Sequence, residues 1–483
     1  MNEPFTLKGL FFLPESPENE VPGELNYSPE TGVELILQGN INASNHYSFH
    51  HPKPQNVPLI LGVTNKGKRI SLVDCIQINA TTSIDEYIYV TTSYHAHFAY
   101  IGIHFDEPEA VQFREIEVRF THMDEWFDKS PFDVEYPVMD YGKPDYGAAT
   151  LFFKKVKNQS VNIGDYTVTF STSGPFIKHP SVSEYLVYQK TSIRIVSNSD
   201  QKSIGEFLTA MRRIQDFLTL GAGEPVYPIE MEGYSESIKE KSKIGEEYSP
   251  PIQIIYDRPW QPKPGRQIHA YNMLFTLTSI EDQLITYLNN WFSKTDYLKP
   301  VLDIYFSILY REQIYTEFRF LGIVQAIEAF HRRMCGGKYQ PDDEFRADLY
   351  QKLVKAIPPD LDPAFRTALI YGKLFYANQY SLRKRLLELG HHLGSYLPFS
   401  FLANSKKLQA FIDDVCKTRN HLTHNDQDST YPIAKTGKEL YALFIKLRVM
   451  LDALLLEVIG FGQEQIADIL KKNRFYIKLL SEP

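Results

Sequence analysis

The chain has 483 residues, of which 43% are hydrophobic and 13% aromatic; this excludes disorder as the main state and calls for two or three cores. A net charge of −8 at pH 7 argues against a general nucleic-acid binder. The cysteines Cys75, Cys335 and Cys416 are widely spaced with no Cys-x-x-Cys pair, which argues against a disulfide scaffold or structural zinc and suits a reducing compartment.

Residues up to about 200 read as β-rich, a sandwich or barrel-like region. Strands are expected at 33–41, 56–63, 69–78, 87–92, 98–105, 114–120, 166–171 and 192–197. Asn65-Lys66-Gly67 is a turn signal that makes a hairpin of its flanking strands. Tyr87, Tyr89, Tyr94, Phe98 and Tyr100 read as core aromatics in preference to a binding face for a sugar or base. A short amphipathic helix at 203–220 ends at Gly221-Ala222-Gly223. Residues 232–251 are charged and poor in apolar side chains, which suggests an exposed loop, and 260–265 form a Pro-rich turn.

Helical periodicity then dominates, with helices expected at 280–292, 299–310, 312–334, 343–357, 362–371, 382–389, 405–419 and 440–459. The fold class expected is therefore multidomain α+β: a β-rich N-terminal domain at 1–230, a connecting region at 231–300 and an all-α bundle at 301–483. The most apolar stretch, 440–460, carries Lys446, Arg448, Asp452 and Glu457, so it reads as a core helix and not a membrane span. The first residues contain no basic segment followed by an apolar run, and a cytoplasmic protein with no membrane partner is expected.

Charge is unevenly spread. From Arg311 onward 25 Lys and Arg stand against 20 Asp and Glu, a net of +5, whereas the remainder has 26 against 39, a net of −13. The basic half suits contact with phosphates. Paired histidines occur at His50-His51, His95/His97 and His391-His392. His95 and His97 share one strand face, but no third ligand is near, and they read as ordinary polar residues; no metal and no cofactor are expected.

The sharpest signal is Arg419-Asn420-His421-Leu422-Thr423-His424. Leu408, Phe411, Ile412 and Val415 mark one helix face, and Arg419, four residues on, projects from that stripe. A guanidinium there calls for a carboxylate, a phosphate or a wet cleft. Arg-x-x-x-x-His alone is expected by chance about 0.7 times in such a chain, but an Asn directly after the Arg lowers that to roughly 0.03. Of the 14 histidines only His424 has an arginine five positions upstream.

This stretch resembles the Arg-(polar)-x-x-x-His signature of HEPN domains, helical bundles many of which are metal-independent endoribonucleases. The long helix expected after the motif, with Gly460 as its stop, also fits. The residues 320–331, Phe-Leu-Gly-Ile-Val-Gln-Ala-Ile-Glu-Ala-Phe-His, look like the opening HEPN helix of ApeA-like anti-phage abortive-infection proteins. The helix end at 216–220 is similar to the late part of their N-terminal domain. The likeness covers nearly the whole chain, although only the six-residue motif is specific enough to carry catalytic roles.

The resemblance implies cleavage of host or phage RNA, tRNA included, to 2′,3′-cyclic phosphate and 5′-hydroxyl ends, under control of a sensing N-terminal region. His424 serves as acid or base and Arg419 as phosphate clamp. Asn420 orients His424 or the phosphate, and His421 is a second proton carrier. Glu328 is a candidate to hold Arg419. Lys417, Arg332, Arg333, Lys406 and Lys407 are candidates for RNA contact. On a straight helix a five-residue offset is about 140°, so the two motif residues share a face only if the helix ends between them; Asn425-Asp426-Gln427-Asp428 is a breaker that places the end near Thr423.

The implied partners are RNA, a second copy of the chain in a homodimer or higher homo-oligomer, and a phage-derived trigger protein. Two other readings stand beside this one. One is a non-catalytic HEPN module that dimerises or binds a nucleotide. The other is a ligand-binding β domain, for glycan or phage protein, with a helical oligomeriser. Intact Arg, Asn and His favour the enzyme.

Overall fold

A computed structural model of the chain describes residues 3–41, 56–84, 88–139, 142–241, 245–257, 268–311, 313–424 and 435–480. It divides into two compact units, residues 1–222 with 226–270 and 275–285, and residues 223–225 and 271–274 with 286–483. The region expected to connect the domains, 231–300, thus contributes to both. His50-His51, Tyr87, the turn at 260–265 and the breaker at 425–428 lie outside the described residues.

The first unit is built on one twelve-stranded sheet. Its first six strands are β1 (Phe5–Leu13), β2 (Ser16–Ser28), β3 (Gly32–Leu37), β4 (Asn56–Thr64), β5 (Arg69–Ile84) and β6 (Ile88–Ile101). They pair in the order β6-β3-β2-β1-β4-β5, and β5 pairs again with β6, which closes a six-stranded barrel. The barrel-like alternative is therefore the correct one, and closure removes two edges that would otherwise be exposed.

Alternation fills the interior: Phe11, Leu25, Leu35, Ile60, Leu72, Cys75, Tyr94 and Ala96 are all buried in one cluster. Gly62 makes room for Phe11, since a Cβ there would stand 2.4 Å from the Phe11 ring. The hairpin expected around Asn65-Lys66-Gly67 joins β4 to β5, with Gly67 at φ 74°. β1 and β2 escape sequence reading because Pro17, Pro22 and Gly23 interrupt the second of them.

Beyond β6 the sheet continues through β7 (Glu115–Phe120), β8 (Gln159–Ile163), β9 (Tyr166–Ser181), β10 (Glu184–Ser197), β11 (Pro228–Tyr234) and β12 (Ile252–Tyr256), in the order β6-β12-β11-β7-β10-β9-β8. Helix α1 (Ile204–Ala222) buries Phe207, Met211, Ile214, Phe217 and Leu218. Phe217, Trp126, Phe170 and Phe275 form an aromatic cluster with ring centroids 5.1–6.4 Å apart. Of the 87–100 aromatics, Tyr94 and Tyr100 are core residues, 1% exposed each.

The second unit is the expected helical bundle. Its principal helices are α2 (Leu284–Tyr310), α3 (Thr316–Met334), α4 (Leu382–Gly394), α5 (Ser405–His424), α6 (Gly437–Ile459), α7 (Gln463–Lys472) and α8 (Arg474–Leu480). Two helices expected at 280–292 and 299–310 are one, with Pro300 inside it. The burial of Leu288, Trp291, Leu298, Val301 and Tyr305 outweighs the hydrogen bond that the proline removes. The helix expected at 343–357 is instead two short ones, Asp342–Ala347 and Leu349–Lys355.

α6 is a core helix, as its apolar run requires, and Gly460 ends it at φ 114° with its N–H donating to Leu456 O. Asp452, fully buried on α6, accepts from the hydroxyls of Tyr305 on α2 and Tyr476 on α8. Arg448, one turn before it, donates to Gly223 O at 2.6 Å. No described helix is long and apolar enough to cross a membrane.

Candidate active site

α5 carries the motif on its last turns. Leu408, Phe411, Ile412 and Val415 are buried as the periodicity requires. The stripe then continues through Thr418, which is fully buried, and not through Arg419, which is half-buried. With 3.6 residues per turn a stripe drifts, and here it moves to i+3 from Val415 and not to i+4. The guanidinium expected in the core therefore sits at its margin.

Arg419 Nη1 donates to Asn420 Oδ1 at 3.0 Å, and this neutral amide is its only hydrogen-bond partner among the described residues. Asn420 and His421 are exposed. Thr423 Oγ1 donates back to Arg419 O at 2.7 Å within the last turn. The helix runs unbroken from Arg419 to position 424, so it does not end between them; the His424 side chain lies outside the described residues.

The chain that returns after this helix is fastened to it: Lys435 N donates to Thr418 Oγ1 at 3.2 Å, and Lys435 Nζ pairs with Glu439 at 3.2 Å. Burial pushes the Cys416 thiol up, while the charges of Arg383 and Arg419 oppose that shift.

Glu328, on α3, pairs with Arg332 one turn on at 2.8 Å and not with Arg419. Arg333 is engaged as well: its Nη1 donates to Tyr297 O at 2.7 Å, and its guanidinium lies 5.5 Å from the centre of the Tyr297 ring. Lys417 is exposed near the motif. Lys406 and Lys407 are exposed at the other end of α5, roughly 18–20 Å along the axis from Arg419.

A second polar cluster, invisible in the sequence, joins α3 to α4. His331 and Arg385 are 0% and 1% exposed. Arg385 donates from Nη1 to His331 Nδ1 and to Gly336 O, each at 3.0 Å, and from Nε to Tyr380 O at 3.1 Å. Because Nδ1 accepts, His331 Nε2 carries the proton and donates to Glu388 Oε2 at 2.9 Å. Burial lowers the pKa of His331 from its ordinary value, which keeps it neutral. Gly337 fits closely against this cluster: a Cβ there would stand 2.4 Å from Arg385 Nη1.

Elsewhere His95 Nε2 meets Asp257 at 3.1 Å, His392 pairs with Glu457 at 2.8 Å, and all three cysteines are free. Among the described residues no group of three or more His, Cys, Asp or Glu is arranged to hold a metal ion.

Comparison with known families places both units. The family model described as ApeA N-terminal domain 1 matches residues 6–291, and that described as Apea-like HEPN matches residues 321–465. The second match spans α3 to α6 and contains the whole motif. No curated protein and no solved structure matches the chain.

Proposed function

Because the chain belongs to the ApeA family of defence-associated HEPN proteins, we propose that it is a metal-independent endoribonuclease acting through Arg419, Asn420 and His424. HEPN domains are generally ribonucleases that dimerise and bind RNA. The observation that carries the proposal to this chain is the motif itself. It is intact on the last turns of α5, with an arginine whose only described partner is a neutral amide. A guanidinium with no carboxylate within ion-pair distance among the described residues keeps its two-pronged donor face for phosphate.

In this mechanism the ribose 2′-oxygen attacks the adjacent phosphorus as it loses its proton. The 5′-oxygen departs with a proton, leaving a 2′,3′-cyclic phosphate and a 5′-hydroxyl. Arg419 neutralises the charge that develops on the phosphorane, and His424 moves a proton. Asn420 holds the Arg419 fork by accepting from Nη1. Positions 419 and 424 are about 140° apart around one helix, so a site that uses both is completed across a dimer, each chain supplying what the other's face lacks.

The first unit, acidic where the bundle is basic, acts as the regulator of the nuclease and senses a trigger of phage origin. Tested in cells, induced expression of the wild-type chain shortens a defined RNA population, and His424→Ala leaves RNA length profiles unchanged. Identical profiles for the two proteins would refute the nuclease reading.

A further inference from the structure

An open cleft of about 760 Å³ lies where α3 ends and α4 begins, lined by Arg332, Lys338, Tyr339, Gln379 and Arg385 and by the Gly336-Gly337 turn. Among the described residues no carboxylate lines it. Two of its cations reach nearby acids on the protein: Arg332 pairs with Glu328 at 2.8 Å, and Lys338 pairs with Asp342. Both of these ion pairs join residues four apart on the surface, which hold weakly and exchange readily for a phosphate oxygen.

Arg385 is different. It is 1% exposed, and its guanidinium is held by His331 Nδ1 and the carbonyls of Tyr380 and Gly336, all neutral acceptors. No carboxylate stands within ion-pair distance of it among the described residues. Its counter-charge comes from Glu328 and from Glu388, the latter through the His331 ring, and a phosphate in the cleft would add to it at closer range. Gly336 and Gly337 adopt φ 79° and 101°, and neither N–H makes a hydrogen bond within the described residues. Consecutive free amides in such a turn are suited to anion oxygens. Tyr339, 63% exposed at the rim and edge-on to Tyr380 at 4.7 Å, offers an aromatic face to a base.

The cleft is also at the motif's end of the bundle. Arg383, two residues before Arg385 on α4, is paired with Asp413 on α5. From Asp413 to Arg419 is six residues, about 9 Å along the helix. We propose that this cleft is a phosphate-binding subsite of the nuclease, in which Arg385, Arg332 and Lys338 hold a phosphate group attached to a nucleoside. The proposal rests on the RNA-cleaving reading for its source of phosphate, an RNA chain, with a free nucleotide as the other source of the same chemistry.

The test uses full-length protein and two probes: a 2′-O-methyl oligoribonucleotide, which cannot be cleaved, and a nucleoside monophosphate. Arg332→Gln with Lys338→Gln changes only exposed side chains, so the fold is kept, and circular dichroism checks it. Affinity for the oligoribonucleotide should fall about tenfold, and the slope of log K against log salt should drop by roughly 0.7 for each phosphate that the variant no longer neutralises. A loss confined to the monophosphate assigns the cleft to a free nucleotide. Wild-type affinity of the double variant for both probes, or no binding of either by the wild type, overturns the subsite. RNA cutting by the wild type but not by His424→Ala, measured in parallel, judges the nuclease reading separately.

Discussion

Arg419 and His424 stand five positions apart on one uninterrupted helix, which turns them about 140° from each other. The two backbone positions lie on different faces of α5. Their joint use in one reaction is therefore a question of assembly as much as of residue identity.

Mixed dimers measure that assembly. Arg419→Ala retains His424, and His424→Ala retains Arg419. If each active site takes one residue from each chain, a heterodimer of the two inactive variants contains one intact site of two. Random mixing at equal amounts makes about half the dimers mixed, so roughly a quarter of wild-type cleavage should return. No recovery from well-exchanged dimers would mean that each motif works within its own chain.

The single variants should lose activity and keep their fold. Arg419 is half-buried and its one described partner is the neighbouring amide, so Arg419→Ala should cost about 1 kcal/mol of stability or less. His424→Ala should lower the cleavage rate by about 10²–10⁴-fold. Arg419→Lys should fail as well, because an ammonium does not reproduce the planar fork. Thermal unfolding and phage-protection assays on the same preparations check both halves. Full protection by a folded Arg419→Ala protein would remove that residue from the mechanism.

His331 sets a pH dependence of stability. Arg385, Glu388 and Lys384 face it, and burial is the main cause of its lowered pKa. The unfolded chain takes up a proton near pH 6.5, whereas the folded chain resists until lower pH. The contribution of this group to stability is thus complete above pH 6.5 and is lost as pH falls through the folded pKa. The melting temperature of the wild type should fall more steeply between pH 7.5 and 5.5 than that of His331→Gln, which has no proton to gain. Parallel curves would show that His331 does not titrate differently in the two states.

Regulation by the first unit is tested with a fragment. Residues 271–272 belong with the bundle: Asn473 Nδ2 donates to Asn272 O at 2.6 Å, and the Arg474 guanidinium lies 4.5 Å from the Tyr271 ring centre. A fragment must therefore start before Tyr271, for example at Ile268. Expressed from Ile268 to Pro483 it should arrest growth at lower induction than the full chain, or cut RNA without responding to infection. A folded, dimeric and harmless fragment beside a constitutively active full chain would assign the first unit to substrate binding instead.

The sequence made the motif legible because residue types at a fixed spacing survive translation into a helix unchanged. Arg419, Asn420 and His424 fall on α5, and Gly460 ends α6 where a glycine with positive φ is needed. The barrel was legible only as strands. Its closure depends on β1 meeting β4 and β3 meeting β6, pairings between strands that are not neighbours in the chain. Thr418 rather than Arg419 in the core shows the limit of a stripe read at i+4 spacing alone. The His331–Arg385 cluster was out of reach for a different reason: its partners are 54 residues apart, and neither carries a local pattern.

The most direct measurement is the chemistry of the cut ends. Purified full-length protein is incubated with RNA that presents unpaired loops, with and without EDTA, beside its Arg419→Ala and His424→Ala variants. Cleavage by the wild type alone is expected, undiminished by the chelator, with 2′,3′-cyclic phosphate on one fragment and 5′-hydroxyl on the other. Ends bearing 5′-phosphate, or cleavage that requires added Mg²⁺, would contradict the metal-independent mechanism.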